Sequence, residues 1–265
     1  MNILGNKIGF FIDGSGILAE SISLSQSNSL ANNRFIGTNS TNYFAPQGPQ
    51  KIDVSINYLL NLATDPVFKT LSAYKTNFNN VPSSLNIGGI TGLFYLNNYS
   101  FRIEPNSPVF ISSSYTNYNN ITGYLTGIQY DLVGDINDRI ATSCSTFFSG
   151  SAGRLDDIFS VSYNVQLNWK PQYKIGSKMP YGMNLLSVDE TIEIETNIFN
   201  DIDFYGNTVN EILSGYNNLI LAPPISNPLA AYQIFDLSQS VVQSISTPIA
   251  NSSFIRNKYS FTKSY

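Results

Sequence analysis

The residue types that carry most enzyme chemistry are scarce in this chain. It has 265 residues, no histidine and a single cysteine, Cys144. Without histidine, the commonest general base, the usual catalytic triads and the commonest ligand of zinc, iron or copper are absent. One cysteine cannot form an intrachain disulfide. We therefore expect no cofactor, no metal site and no thiol-dependent function.

Carboxylates are the remaining candidates for chemistry. Glu193 and Glu195 share one face of a predicted strand, which is a pairing that a glycosidase could use. Neighbours on one strand face are, however, more often solvated than catalytic. Asp131, Asp135 and Asp138 lie close together, but their spacing misses the Ca²⁺-loop pattern. No Gly-rich phosphate loop is present. We expect no catalytic residues and no enzyme activity.

Composition favours a protein that makes permanent contacts with other protein chains. Charged residues are 12% of the chain, about half the usual share, and aromatics are 13%. Interface cores are likewise poor in charge and rich in aromatic residues. The net charge of −4 predicts no basic face for nucleic acid or for anionic membranes. The sequence has neither a signal-peptide pattern nor an apolar stretch of membrane-spanning length, so we expect synthesis in the cytoplasm of the producing cell and no membrane contact.

Two segments, 34–61 and 173–200, share one pattern. Each begins near an Ile-Gly pair, continues through a loop that holds a Pro, a Gly and a Tyr, and closes with an alternating strand. The Ile-Gly pairs start at Ile36 and Ile175, 139 residues apart. A constant spacing over separate blocks predicts an internal duplication, with chance matching in a chain rich in Ser and Asn as the alternative. The flanking matches are 22–24 with 161–163, 95–100 with 235–240, and 107–115 with 247–254.

The duplication and the alternation together predict the fold class. Alternating apolar and polar residues predict strands at Lys51–Leu60, Ile158–Trp169 and Thr191–Ile198, among others. Further strands are predicted at Ile90–Tyr95 and Tyr99–Glu104. Short helices are predicted after Asp65-Pro66 and at Val209–Leu213. We expect a mainly β protein of two tandem similar β-sandwich or barrel domains, each with a long hairpin arm and a short helix. The predicted domains are 1–126 and 127–265, and residues 134–153 are predicted to be a loop without a counterpart in the first domain.

The duplicated unit resembles the tail-tube proteins of tailed bacteriophages. In that family the unit is a small β-sandwich or barrel with one short helix and a long hairpin arm. Six units form a ring by joining their sheets, and the arms reach to the next ring. Some members carry two units per chain and close the ring with three chains. The residues that carry the resemblance are the strand–arm–strand units Ile22–Tyr58 and Val161–Ile198, and the later blocks Tyr95–Ser100 with Asn106–Tyr115 and Phe235–Ser240 with Pro248–Phe254.

The resemblance implies a structural virion protein, a tail tube subunit of stacked pseudohexameric rings around a DNA channel. Its location would be the virion tail, after assembly in the host cytoplasm. Its partners would be other copies of itself and other tail proteins, while DNA would pass through the lumen without specific binding.

The resemblance also implies two groups of candidate contact residues. The first lies in the arms, Gly37–Gln50 and Gly176–Asp189, and would contact other subunits or rings. The second would line the lumen, where we expect an acidic wall that does not hold DNA phosphates; the alternative for these strand positions is a solvated outer face. The arm residues are Asn39, Tyr43, Phe44, Pro46, Lys178, Met179, Tyr181 and Met183, and the lumen residues are Asp53, Ser55, Glu193 and Glu195.

Two other interpretations stay open. The chain could be a baseplate hub, a tube initiator or a neck ring of the same virion, which would stop at one ring instead of polymerising. In a different class, it could be a carbohydrate-binding or hydrolytic β-protein of a cell surface. Its aromatic residues would then form an exposed stacking platform, and sugar binding by the purified protein would reveal it.

Overall fold

Antiparallel strands make up most of the computed structural model, which confirms the expected mainly β fold class. Strands form where apolar and polar residues alternate, because successive side chains of a strand point to opposite faces of its sheet. The structure describes residues 10–17, 19–27, 30–33, 43–46, 50–60, 65–78, 80–105, 107–118, 121–124, 145–150, 153–155, 158–177, 179–197, 209, 212, 218–222, 233–247 and 256–265.

The first half of the chain holds nine strands and one helix among its described residues. They are β1 (Phe10–Ile12), β2 (Ser15–Gly16), β3 (Ala19–Ser27), β4 (Leu30–Asn33), β5 (Tyr43–Pro46), β6 (Lys51–Leu59), α1 (Pro66–Asn77), β7 (Ser83–Ile87), β8 (Ile90–Ile103) and β9 (Phe110–Asn117).

The second half holds eight strands among its described residues. They are β10 (Ser145–Gly150), β11 (Gly153–Leu155), β12 (Ile158–Gln172), β13 (Gly182–Asn197), β14 (Asn218–Ala222), β15 (Gln233–Asp236), β16 (Val241–Ser246) and β17 (Arg256–Ser264).

Eight of these strands form one continuous antiparallel layer, which we call the long layer. Its order is β3-β6-β9-β8-β12-β13-β17-β16. The first four strands come from the first half of the chain and the last four from the second half. The two sets have the same order. The strand before the arm (β3 or β12) comes first, and the strand after the arm (β6 or β13) comes second. The last strand of the set in the chain (β9 or β17) comes third, and the strand that precedes it in the chain (β8 or β16) comes fourth. The contact between the sets is the pairing of β8 with β12.

Breaks in the strand register recur at corresponding places of the two sets. A β-bulge inserts an extra residue on one strand and increases the local twist, so it marks a defined position in a sheet. The breaks lie at Ala19/Ser21 in β3 and Ile158/Ser160 in β12, and at Leu96/Asn98 in β8 and Val242/Ser244 in β16.

A second, smaller layer covers one face of the long layer. In the first half, the start of β8 pairs with β7, which leads on to β1 and β2. In the second half, a four-stranded sheet has the order β11-β10-β14-β15. One cluster of buried apolar side chains joins both layers, the helix and both halves. Full burial of such a side chain contributes about 1.5–3 kcal/mol, so this shared core is the main source of stability.

Helix α1 begins and ends as its sequence predicts. The carboxylate of Asp65 accepts a hydrogen bond from the Val67 amide at 3.0 Å, and Pro66 occupies the first turn, where no amide donor is needed. Val67, Leu71 and Tyr74 form the buried stripe. Phe78 follows with a left-handed φ of 46°, which ends the helix.

Several sequence-based expectations are wrong or lie outside the described residues. The predicted strands at 90–95 and 99–104 are one strand, β8, because the bulge after Leu96 lets the strand bend and continue through Asn97-Asn98. The predicted 134–153 loop contains β10, whose two apolar residues are too few to show alternation. Ile212, predicted helical, pairs with Val241. The predicted domain boundary after Thr126 lies outside the described residues, so the division into two domains stays a prediction.

Near the end of each half, the residues that match in sequence do not occupy corresponding positions in the sheet. Sequence matching aligns 107–115 with 247–254. In the long layer, however, the position that β9 occupies in the first set is occupied in the second set by β17, which begins at Arg256. Insertions in the connecting segments shift the chain numbering without changing the order of the strands, and a fixed spacing cannot reveal them.

Candidate assembly surface

One face of the long layer is polar across all eight strands, and we call it the polar face. It faces away from the core, because the alternate positions of the same strands are buried apolar residues. Most of its side chains are small and uncharged. One row of paired residues that crosses seven of the strands consists of Ser23, Ser55, Ser114, Asn98, Gln166, Asp189 and Ser264.

The residues predicted to line a lumen all lie on this polar face. Asp53 and Ser55 alternate with the buried positions of β6, and Glu193 and Glu195 alternate with Ile192 and Ile194 of β13. The structure therefore places the four residues on one surface. Asp53 and Ser55 on β6 are separated from Glu193 and Glu195 on β13 by the strands β9, β8 and β12.

The polar face is not the bare acidic wall that the sequence suggests. Asp53 lies 3.1 Å from the ammonium of Lys51. Glu193 lies 2.8 Å from Lys258. Glu195 has a longer contact, 3.9 Å, with the Arg256 guanidinium. These exposed pairs stabilise the fold by at most about 1 kcal/mol each, but they bring the local charge close to zero. Glu193 and Glu195 thus form cross-strand ion pairs with Lys258 and Arg256 on β17.

The first edge of the long layer is β3, which pairs with β6 alone among the described residues. Its core-facing side chains are poorly covered: Ile22 is half-buried and Leu24 is 38% exposed. The strand in the corresponding place of the second set, β12, is covered completely, with Val161 and Tyr163 at most 1% exposed. The difference arises because β8 and helix α1 pack against β12, whereas β3 has no such neighbour within the described structure.

The opposite edge is β16, which pairs with β17 and, at Val241, with Ile212. Ile245 on this strand is 39% exposed although it points to the core side of the layer. Tyr99, at the corresponding place of β8, is fully buried. Both ends of the long layer thus leave apolar side chains exposed where the internal junction buries them.

The junction between β8 and β12 shows what such an edge accepts. Six consecutive residue pairs join the two strands, from Val161↔Ile103 to Gln166↔Asn98. The rings of Phe101 and Tyr163 stack at 5.1 Å across the junction. On the polar side, the amide of Asn98 donates to Asn164 at 2.8 Å. The junction therefore combines backbone pairing, aromatic packing and side-chain hydrogen bonds.

A buried ion pair also crosses this junction. The ammonium of Lys75, near the end of α1, contacts the carboxylate of Glu190 on β13 and the hydroxyl of Tyr163 on β12. The side chains of Lys75 and Glu190 are 15% and 3% exposed. Burial lowers the pKa of Lys75, and the negative charge of Glu190 opposes that shift. Burial also raises the pKa of Tyr163, so its hydroxyl stays protonated and can donate to Glu190.

The arms differ in how much of them the structure describes. In the first arm the described strand is β5, which pairs with β4 and carries Tyr43, Phe44 and Pro46, whereas Asn39 lies outside the described residues. The second arm extends the β12–β13 hairpin, and Lys178 again lies outside the described residues.

The tip of the second arm is exposed and partly apolar. Ile175 is fully exposed and Tyr181 is 59% exposed, with the Lys174 ammonium 4.8 Å from the Tyr181 ring centre. Met179 is half-buried, and its carbonyl accepts a hydrogen bond from the Ser177 hydroxyl at 2.6 Å. Met183, predicted to be a contact residue, is largely covered within its own chain, and its contact role stays a prediction. It is 5% exposed because it lies inside β13, where it pairs with Pro171 and belongs to the buried set.

Lys75, Glu190, Leu24 and Ile245 are absent from the sequence-based candidates. For Glu190 a signal existed: it shares its strand face with Ile192 and Ile194, so an acid stands at a core position. A buried carboxylate needs a partner, but the sequence does not show that Lys75 supplies it.

Comparison with protein-family models gave no match, and comparison with curated proteins gave no significant match. Among the described residues, no helix has the length and apolar character needed to cross a membrane. Over the same residues, no three metal-binding side chains of the His, Cys, Asp or Glu type come together.

Proposed function

We propose that this protein is a structural subunit that joins head to tail into closed rings, and that the rings stack into a tube like the tails of bacteriophages. The observation that carries the proposal is the order of the long layer. Four strands recur in one order, and the β8 edge of the first set is joined to the β12 edge of the second. Within the described part of the chain, the corresponding edges β3 and β16 have no further strand neighbour, apart from the Ile212–Val241 bridge, and both carry exposed apolar residues.

The internal junction predicts the register of the junction between chains. The matching bulges make Asn98 the counterpart of Ser244, and Val161 the counterpart of Ile22. In the internal junction Asn98 pairs with Gln166, five residues after Val161. Ser244 of one chain should therefore pair with Ser27, five residues after Ile22, of the next chain. In this register both serines lie on the polar face.

The stagger of the strands suits closure into a barrel. Paired residues can be followed across the layer from Ile22 on β3 to Val165 on β12. The residue of β12 that corresponds to Ile22 is Val161, four residues earlier in the strand. Each set of four strands thus shifts the register by four residues, which is roughly 13 Å along the strand direction. The same set spans roughly 19 Å across the sheet, perpendicular to the strands. The corresponding strand tilt is about 35°, at the lower end of the range for closed barrels.

Three chains would give a barrel wide enough for DNA. Each chain supplies eight strands to the layer, so three supply 24. At this tilt the backbone of such a barrel is about 45 Å across. The polar face would form the inner wall, because the second layer covers the other face. A wall of small neutral side chains and paired charges offers DNA phosphates neither an attractive nor a strongly repulsive field.

The exposed arm tip favours a tube over a single ring. A hub, tube initiator or neck ring could use the same two edges but would stop after one ring. Ile175 and Tyr181 stand exposed at the tip of the second arm, where a ring stacked above or below would cover them. Partners under this proposal are other copies of the chain and the other proteins of a virion tail.

Disulfide trapping tests the junction between chains. In a Cys144→Ser background, Ser27→Cys and Ser244→Cys should form interchain disulfides and give a ladder of covalent species that ends at three chains. Pairing Ser244→Cys with Ser21→Cys is the matched control, since Ser21 lies six residues, or about 20 Å, along β3 from Ser27 and is out of disulfide range. Equal trapping in both variants, or none in the first, would refute the proposed junction.

A further inference from the structure

The buried pair of Lys75 and Glu190 joins the two halves of the chain at the β8–β12 junction. We propose that this pair makes the two junctions of the ring chemically distinct, so that the β8 edge accepts β12 and rejects β3 of another copy. This inference rests on the proposed head-to-tail assembly and adds to it a reason for strict alternation of the two halves.

The corresponding positions of the first half are apolar. By the matched register, the counterpart of Tyr163 is Leu24, and the counterpart of Glu190 is Ile52. Tyr163 and Glu190 bind the Lys75 ammonium in the internal junction. Neither Leu24 nor Ile52 has a side-chain atom that could accept a hydrogen bond.

A wrong junction would leave Lys75 without its partners. If β3 of a second chain took the place of β12 against β8, the Lys75 ammonium would face Leu24 and Ile52. A buried ammonium that loses its carboxylate is strongly destabilising, because its desolvation is no longer offset. The backbone pairing and the apolar packing could still form, so the ion pair is the part of the junction that discriminates.

Discrimination is needed because the two candidate strands resemble each other. Both β3 and β12 present an antiparallel edge with alternating apolar residues and a bulge at the same place. The covalent connection gives β12 a high effective concentration near β8. A growing assembly nevertheless brings many β3 edges close together, and a β8–β3 pairing between chains would exchange halves and prevent closure at three chains.

The test removes both charges and looks for the wrong junction. The double variant Lys75→Met with Glu190→Ile gives the junction the apolar character of the first half without leaving an unpaired charge. The wrong junction is detected by Asn98→Cys with Ser27→Cys in the Cys144→Ser background, because a β3 strand in the place of β12 would set Ser27 opposite Asn98. Within one chain these two positions lie three strands apart, roughly 14 Å or more, and cannot form a disulfide.

We expect interchain Asn98→Cys/Ser27→Cys disulfides at background level with the ion pair intact. They should rise by at least about tenfold in the double variant, since the penalty for an unpaired buried charge is then gone. The control replaces the exposed pair, Lys258→Met with Glu193→Ile, and should leave trapping at background. Retained circular dichroism and cooperative unfolding establish that the double variant is folded.

The outcomes separate this inference from the proposed function. If Ser27→Cys/Ser244→Cys trapping succeeds but the double variant shows no rise in the wrong disulfide, the discrimination by Lys75 and Glu190 is refuted and the ring is not. If the wrong disulfide already forms with the ion pair intact, discrimination is also refuted. Absence of both disulfides in every variant would overturn the assembly and, with it, this inference.

Discussion

At the residue scale, a buried carboxylate organises the first half of the core. Asp65 accepts hydrogen bonds from the Tyr58 hydroxyl at 2.9 Å and the Tyr99 hydroxyl at 2.6 Å. The same carboxylate caps helix α1 through the Val67 amide. Tyr58 lies on β6 and Tyr99 on β8, so one side chain joins the helix start to two strands of the long layer. Burial raises the pKa of Asp65, and its hydrogen bonds only partly oppose that shift.

Replacing Asp65 separates its hydrogen bonding from its charge. Asp65→Ala should lower the free energy of unfolding by about 2–4 kcal/mol, because the helix loses its cap and two buried hydroxyls lose their acceptor. Asp65→Asn keeps an acceptor and should cost less. Urea unfolding followed by circular dichroism measures both values. Equal losses for the two variants would contradict the assigned hydrogen bonds.

The wild type and Asp65→Asn also allow a test of how stability depends on pH, and the direction of the change can be predicted. A carboxyl group whose folded pKa is raised binds its proton more tightly in the native state than in the unfolded state. Its contribution is therefore complete below its ordinary pKa of 3.8 and is lost as the pH rises through the raised value. The stability of the wild type relative to Asp65→Asn should increase as the pH is lowered from 7 towards 4. A relative stability that falls with acidification would contradict burial as the dominant cause.

At the element scale, the proposed assembly depends on the strand edges, whereas folding depends on the core. Leu24 on β3 is 38% exposed, whereas Tyr163 on the corresponding strand is fully buried. A substitution at Leu24 should therefore leave the fold of the isolated chain nearly unchanged and affect the junction between chains.

Leu24→Glu is the matching experiment. The added carboxylate would be buried without a partner when β16 of the next chain covers β3, so rings should fail to form. Leu93→Glu is the control, because Leu93 is 53% exposed on the outer side of the smaller layer. Analytical ultracentrifugation should give monomers for Leu24→Glu and wild-type assemblies for Leu93→Glu. Normal assembly of Leu24→Glu would exclude β3 as a junction strand.

The arm tip gives a separate prediction about stacking. Ile175→Ser with Tyr181→Ser removes the exposed apolar surface of the second arm and should leave rings intact while shortening tubes. Tyr124→Ser is the control, since Tyr124 is 77% exposed and lies outside the arms. Electron micrographs of stained samples give the tube lengths. Tubes of ordinary length from the arm variant would remove the second arm from the stacking contact.

Sequence patterns predicted those elements that are determined by residues close together in the chain. The alternation at Lys51–Leu60 and the Asp65-Pro66 helix start are local signals, and both match the structure. The identity of the edge strands depends on which strands meet, and neither β3 nor β12 shows this in its own residues. Glu190 illustrates the limit: its core position is visible in the alternation, whereas its contact with Lys75 spans 115 residues of chain.

At the scale of the whole molecule, one continuous layer joins two similar sets of strands with different chemistry at their junctions. The internal junction holds an ion pair and stacked aromatic rings, whereas β3 and β16 leave Leu24, Ile22 and Ile245 partly exposed. Head-to-tail joining of such units either closes or continues without end. Under the proposed assembly, sets that are equivalent in position but not in chemistry would give a ring with true three-fold and only approximate six-fold symmetry.

Image reconstruction of the concentrated, purified protein tests this account most directly. We predict stacked rings of three chains whose inner wall is a barrel of 24 strands tilted by about 35°. The polar face should line the lumen, and β16 of each chain should pair with β3 of the next. Six chains per ring, or a protein that stays monomeric at high concentration, would contradict the account.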